Sequence, residues 1–407
     1  MPFRLLYIAL AASLLATAPA RAGDQDEALR PEVGKPLQAA EGLIKQQKFA
    51  DALAQLRKAE AAAPLSPRET ALLEQLRGIA AAGSGDNLAA AKAYEAAIAA
   101  GKPAGAEKLR LTQAVSVLYY QAKDYPDAII WAKRSIAAGG NDEQTRTLLA
   151  QSYYLAEDWP NAATALKDQI GATERAGRTP SETQLKLLAS VAVRQNDTAG
   201  YQATLEKLVA AYPRPEYWAD LIQRVRTRPG FPHRLTLDVY RLSLAVGVLP
   251  SASEVTEAAE LALQAGLPGE GKTLLDRGFS ADLLGRGPEA DRQKRLLALA
   301  AQKSADDLRS LSDSEREAAT AKDGTGLVNT GLDYLGHGQP QKAVPLIEQG
   351  LARGVAKNPD DARLHLGIAL YAAGQKDKSI QTFRSVQGGD AADLARLWAI
   401  HCGSRSS

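Results

Sequence analysis

The stretch GLPGEGKT, Gly266 to Thr273, fits the phosphate-binding pattern G-x-x-x-x-G-K-[ST] letter for letter. In that chemistry glycines let backbone N–H groups cradle a polyphosphate, the lysine reaches the terminal phosphates, and the hydroxyl holds magnesium. It works where a buried strand anchors the loop and a helix starts behind it, aiming free N–H groups at the anion. The residues ahead of Gly266 do not read as such a strand. Val255, Ala258, Ala259, Ala262 and Leu263 follow helical spacing, and Ser251 with Glu254 supplies a capping box for that helix. A helical hairpin is expected here, with nucleotide binding by Gly266–Thr273 as the alternative.

Other reactive side chains do not gather. His233, His337, His365 and His401 are scattered without metal-ligand spacing. The single cysteine, Cys402, permits no intramolecular disulfide and reads as a helix-end residue. No Ser, His and Asp form a nucleophile motif. The expectation is a chain that is not an enzyme, with no catalytic residue, cofactor or metal.

The elements around these residues repeat. VLYYQAKDYPDAIIWAKRSI from Val117 is echoed by SYYLAEDWPNAATALKDQI from Ser152. Tyr119-Tyr120 returns as Tyr153-Tyr154, Tyr125-Pro126 as Trp159-Pro160 and Ala128 as Ala162, each 34 residues on. A small residue at Ala128 or Ala162 lets two helices approach closely, the aromatic before it covers the turn, and the paired tyrosines fill the gap between helices. The same pattern runs through Phe49, Ala52 and Ala59, through Gly85, Ala90, Tyr94 and Ala97, and through Gly338, Ala343 and Gly350. Gly374, Ser379 and Phe383 follow it once more. Gly266, Gly271 and Gly278 fall on the same register, so the repeat itself accounts for the phosphate-loop letters.

This period and these residues resemble the tetratricopeptide repeat, in particular exported bacterial proteins built from it. The resemblance implies an all-α, right-handed α-solenoid of stacked helix-turn-helix repeats that binds other proteins in a concave groove. Glu216 to Phe279, through EYWADLI, LAVGVLP and LALQAGLP, is also similar to repeat proteins encoded near TonB-type energy-transduction systems. The expected organisation is a leader over 1–22, a first repeat array over 23–213, divergent helical repeats forming a junction over 214–330, and C-terminal repeats over 331–407. Helix starts are expected at Ser66-Pro67-Arg68-Glu69, at Thr179-Pro180-Ser181-Glu182 with Thr179 as cap, and at Asn358-Pro359 with Asn358 as cap. Ala-rich helices with only 5% aromatic residues suit an elongated stack better than one large core.

At the N-terminus, Arg4 precedes an apolar run from Leu5 to about Ala18, followed by Ala20-Arg21-Ala22, an arrangement of the signal-peptide type. The run is shorter than the roughly 20 residues of a membrane span. The expectation is cleavage near Gly23 and a soluble periplasmic chain without a membrane span; an uncleaved leader would instead make it a tethered structural subunit. Of 49 basic residues two, Arg4 and Arg21, lie in the leader, leaving 47 against 47 acidic ones. A neutral chain without a basic stripe is expected to bind no nucleic acid, and the run QRVRTRPGFPHR around Arg224 to Arg234 is read as a solvated helix end and loop. The expected partner is a cell-envelope protein.

The expected binding face lies on two successive first helices. Arg110, Gln113, Val117, Tyr120 and Gln121 share one side at spacings of three and four, and Gln144, Thr147, Gln151 and Tyr154 form the matching side one repeat on. Tyrosine supplies rigid contact area, and the amides can bond a peptide backbone. Tyr120 and Tyr154 are the leading candidates, because Tyr119 and Tyr153 already serve the packing.

Overall fold

A computed structural model describes residues 29–140, 142–248 and 251–404. The expected leader, 1–22, lies outside them. Among the described residues every long element is an α-helix and none is a strand, which makes the chain an all-α stack of helical hairpins. No helix among them is long and apolar enough to cross a membrane. The helices fall into two compact units, residues 29–178 with 190–196 and residues 179–189 with 197–404.

The first unit runs through α1 (Pro31–Lys45), α2 (Phe49–Glu60), α3 (Pro67–Ser84), α4 (Asn87–Gly101), α5 (Gly105–Gln121), α6 (Tyr125–Ala137), α7 (Glu143–Leu155) and α8 (Trp159–Arg175), and takes in the end of α9 (Glu182–Arg194). From α1 to α8, each helix packs on its hairpin partner and each hairpin on the next. The turns explain the repeat. Lys123 and Glu157, 34 residues apart, adopt left-handed backbone (φ 62° and 60°), the position that Gly85 fills with φ 89°. The aspartate that follows, Asp86, Asp124 or Asp158, then caps the second helix by accepting the N–H of Ala89, Asp127 or Asn161. Ala128 and Ala162 are fully buried where the two helices cross, and Tyr119 and Tyr153 are buried beside them. Burying a leucine such as Leu111 or Leu118 in the seam stabilises by roughly 1.5–3 kcal/mol, so a few such residues per hairpin suffice to hold the stack.

Two of the helix starts differ from expectation. Ser66 and Glu69 do form a reciprocal capping box. Beyond Thr179, however, the helix begins only at Glu182. Ser181, not Thr179, is the cap: its hydroxyl accepts the Gln184 N–H at 3.3 Å while the Gln184 side chain accepts the Ser181 N–H at 3.0 Å. Pro180 stays outside, and its carbonyl accepts the Tyr212 hydroxyl at 2.9 Å. Asn358 makes no side-chain cap, because its own backbone is left-handed (φ 49°).

The second unit continues with α10 (Thr198–Ala211), α11 (Pro215–Arg226), α12 (Thr236–Ala245), α13 (Ala252–Gln264), α14 (Pro268–Ser280), α15 (Ala290–Thr320), α16 (Thr325–Gly336), α17 (Pro340–Arg353), α18 (Pro359–Ala372), α19 (Lys376–Arg384) and α20 (Gly389–Gly403). Within the region 214–330, expected to hold divergent repeats, lies one 31-residue helix, α15, roughly 46 Å long at 1.5 Å per residue. It buries only a narrow stripe of Gln293, Ala300, Ser304, Leu311 and Ala318.

The last helix returns to the first ones of this unit, since α20 packs on both α10 and α12. The basic run is an exposed helix end and loop, as expected, and Arg228 and Arg234 in it pair with carboxylates of the later helices. Arg228 pairs with Asp390 and Asp393, Arg234 with Asp361 at 2.7 Å, and Arg396 of α20 with Glu206 of α10 at 3.1 Å. Beneath these exposed pairs lies a buried polar network. His365 Nε2 reaches Asp238 at 3.1 Å, Arg241 donates to Asp238 at 2.7 Å, and Arg241 also holds Glu270.

Candidate partner-binding site

The residues expected to form a binding face are joined from one repeat to the next. The Tyr120 ring on α5 meets the edge of Tyr125 from its own turn, with centroids 5.9 Å apart, and its hydroxyl donates to Gln151 of α7 at 3.2 Å. Tyr154 repeats this geometry one unit on. Its ring meets Trp159 at 5.2 Å, and its hydroxyl lies 2.8 Å from that of Ser190 on α9. Each tyrosine therefore stands against its own hairpin and holds the next first helix by its tip. Both stay only half-buried, so ring surface remains outside. Burial, followed by the neighbouring Tyr125, pushes the Tyr120 phenol above its ordinary value, so it stays a neutral donor at physiological pH.

Gln113 takes part in the same bridging. Its amide donates to Asp142 at 2.9 Å and to Thr145 at 3.3 Å, tying α5 to the cap of α7. Burial works against the Asp142 charge, but the N–H and hydroxyl of Thr145 win and hold its carboxyl below the usual range. Gln144 is exposed in the first turn of α7, while Arg110 and Gln121 are half-buried on α5. Thr147 is placed differently. Its hydroxyl accepts from Gln169 of α8 at 2.8 Å, which commits it to the inside of its own hairpin.

Spacing alone missed three neighbours. Ser190 partners Tyr154, and two apolar side chains stand open nearby: Leu155, next to Tyr154, is 40% exposed, and Val193, one turn beyond Ser190 on α9, is 54% exposed. Arg194 lies over the Trp159 ring at 5.7 Å. For Leu155 and Val193 the sequence signal was the apolar residue itself; Ser190 and Arg194 had none.

The phosphate-loop letters form something else. Gly266 makes the left-handed turn (φ 75°) between α13 and α14, which pack as a hairpin, and a helix occupies the place of the anchoring strand. Ser251 and Glu254 cap α13 reciprocally, as the sequence indicates. A Cβ on Gly271 would lie 3.2 Å from the Ala259 carbonyl, so glycine serves helix contact here. Lys272 pairs with Asp276 at 2.6 Å, and the Thr273 hydroxyl donates to the Gly269 carbonyl at 2.9 Å. Among the described residues no group of three or more His, Cys, Asp and Glu is placed to hold a metal ion.

Comparison with known proteins agrees with the repeat geometry. The tetratricopeptide repeat family matches residues 76–143 and 328–393. Among curated proteins none matches. Solved structures similar to this chain include Naa15/Naa10 bound to HypK-THB, at 16% identity and a TM-score of 0.33, covering 88% of this chain and 59% of that one. The pentatricopeptide repeat protein PPR10 from maize is similar at 14% identity and a TM-score of 0.33, covering 97% and 65%. Yeast Tom70 is similar at 11% identity and a TM-score of 0.25, covering 90% and 94%. This chain thus spans less than two thirds of the length of the first two. The hairpins over 76–143, which include α5 and α6 with Tyr120, and those over 328–393 are the parts that match this family.

Proposed function

We propose that this chain is a non-enzymatic scaffold that holds an extended segment or helix of a partner protein on the face formed by α5, α7 and the end of α9. The observation that carries the reading is the run Tyr120–Gln151 and Tyr154–Ser190, with Leu155 and Val193 open beside it. Rings fixed at both ends lose little freedom on binding, and rigid aromatic surface next to exposed apolar side chains is the composition of an interface centre. Gln121 and Gln144 stand at its margin, where amides reach a partner's backbone. Repeat proteins of this kind use extended surfaces for such contacts. The leader pattern supports the finer part of the proposal: the chain is exported to the periplasm, and the partner is a cell-envelope protein. The likeness of Glu216–Phe279 to proteins encoded near TonB-type systems points to energy transduction or envelope assembly as its setting.

The test is crosslinking in cells of the tagged, exported chain, with identification of captured proteins and the mass of the mature N-terminus. The Tyr120→Ala/Tyr154→Ala variant, with Val193→Asp as a surface change that leaves the packing intact, is expected to lose the partner. Truncating a central aromatic contact weakens binding by about tenfold or more. Undiminished capture by both folded variants would place binding elsewhere.

A further inference from the structure

The second unit carries a cleft that the partner-binding reading does not use. It has a volume of about 600 Å³ and opens where the last helices return to α11 and α12. One wall is apolar: Pro213, Ala245 and Val246. The other is aromatic, with Tyr371 and His401 in edge contact at 5.3 Å and joined by a 2.9 Å hydrogen bond between the Tyr371 hydroxyl and His401 Nε2. Behind them the Trp218 and Trp398 rings pack edge-on against His401.

The charge at this cleft has one sign. Lys376 lines it, no carboxylate does, and among the described residues Lys376 has no acidic partner. Burial, then the Lys376 charge, lowers the His401 basicity, and burial raises the Cys402 thiol despite the pull of Lys376. Lys376 is also the first residue of α19, whose cap Gln375 makes no side-chain bond to the first-turn N–H groups. A lysine, unused N–H donors and a neutral imidazole beside an apolar wall form a receptor for negative charge with an apolar body attached.

We propose that this cleft binds a small organic carboxylate, its charge against Lys376 and the start of α19 and its aromatic or aliphatic body between Tyr371 and the Pro213–Val246 wall. Because both walls come together only where α18 to α20 meet α11 and α12, the ligand also fastens the unit's ends. The partner-binding face lies on other helices and is not involved.

The probes are indole-3-acetate and its neutral amide, titrated calorimetrically into the intact chain. Lys376→Gln alters an exposed side chain, and Ala372→Trp fills the mouth of the cleft from another exposed position. The acid is expected to bind saturably, one per chain, and the amide about tenfold more weakly or worse, the loss of one charge-assisted contact. Lys376→Gln is expected to bring the acid down to the level of the amide, and Ala372→Trp to abolish both. Equal binding of acid and amide, or an unchanged acid affinity in Lys376→Gln, overturns carboxylate recognition. Binding that survives in Ala372→Trp moves the site elsewhere, and no saturable heat from the acid overturns the site altogether.

Discussion

Replacing Asp238 by alanine tests the buried charges that join α12 to α18. Asp238 is 2% exposed and accepts from Arg241 at 2.7 Å and from His365 at 3.1 Å. Without it, the Arg241 guanidinium, 11% exposed, keeps only Glu270, and the His365 N–H loses its acceptor. Each charge-assisted bond contributes about 1.5–3 kcal/mol, and breaking a buried pair from one side costs roughly 3–5 kcal/mol, because the remaining charge stays desolvated. For a body of about 200 residues each kcal/mol moves Tm by roughly 2–4 °C, so a loss of about 10 °C is expected in a thermal melt of the intact chain at pH 7. The sign with pH follows from the carboxyl. Burial opposes its charge, yet His365 and Arg241 outweigh it and hold Asp238 at about 2, below the roughly 3.9 of an unfolded chain. Its stabilisation is complete above pH 4 and fades as pH falls from 4 towards 2. The gap between parent and Asp238→Asn, followed by urea unfolding, therefore narrows across that window. A deficit under about 1 kcal/mol at pH 7, or one that does not narrow in acid, would refute a desolvated network.

Asp333 has the opposite sign. Burial, with Asp307 nearby, pushes its carboxyl up to about 7, and its Oδ1 finds no hydrogen-bond partner. Stability is expected to fall as pH rises from about 4 to 7, and Asp333→Asn to remove that decline and stabilise by about 1–2 kcal/mol at pH 8 after allowance for solvent screening, read by urea titration at pH 5 and pH 8. Two glycines give a matched pair. A Cβ on Gly367 would lie 2.4 Å from the Phe383 ring, itself stacked on Trp398, whereas one on Gly42 meets nothing within 4 Å. Gly367→Ala is expected to cost about 1–3 kcal/mol by overpacking and Gly42→Ala to gain about 0.5–1 kcal/mol in its helix, both measured by denaturant unfolding.

Local physics was legible in the sequence. Caps such as Ser66 and Ser251, the left-handed turn at Gly266, and Ala128 and Ala162 at helix crossings each act over a few residues, and the 34-residue echo reports them twice. Thr179 misled because two potential caps, Thr179 and Ser181, flank Pro180, and the Pro180 carbonyl, outside the helix, is taken by the Tyr212 hydroxyl from a later segment. The basic run is the exposed helix end and loop expected of it, but its partners were not legible. Arg228 and Arg234 find carboxylates 127 to 165 residues away, and nothing in their own neighbourhood announces Asp361, Asp390 or Asp393.

The same distinction bears on the proposed face. Spacing placed Tyr120, Gln151 and Tyr154 on one side, but it could not tell that two of these residues bond each other or that Thr147 turns inward to Gln169. A hydroxyl already bonded across a helix seam gives up little by staying there when a partner arrives, whereas a ring held edge-on by Tyr125 or Trp159 offers its open side at almost no cost in entropy. The contribution of Tyr120 and Tyr154 to binding should therefore reside in their rings. Phenylalanine at both positions should keep most of the partner's affinity while losing about 0.5–1.5 kcal/mol of fold stability per bond removed. Alanine should lose both.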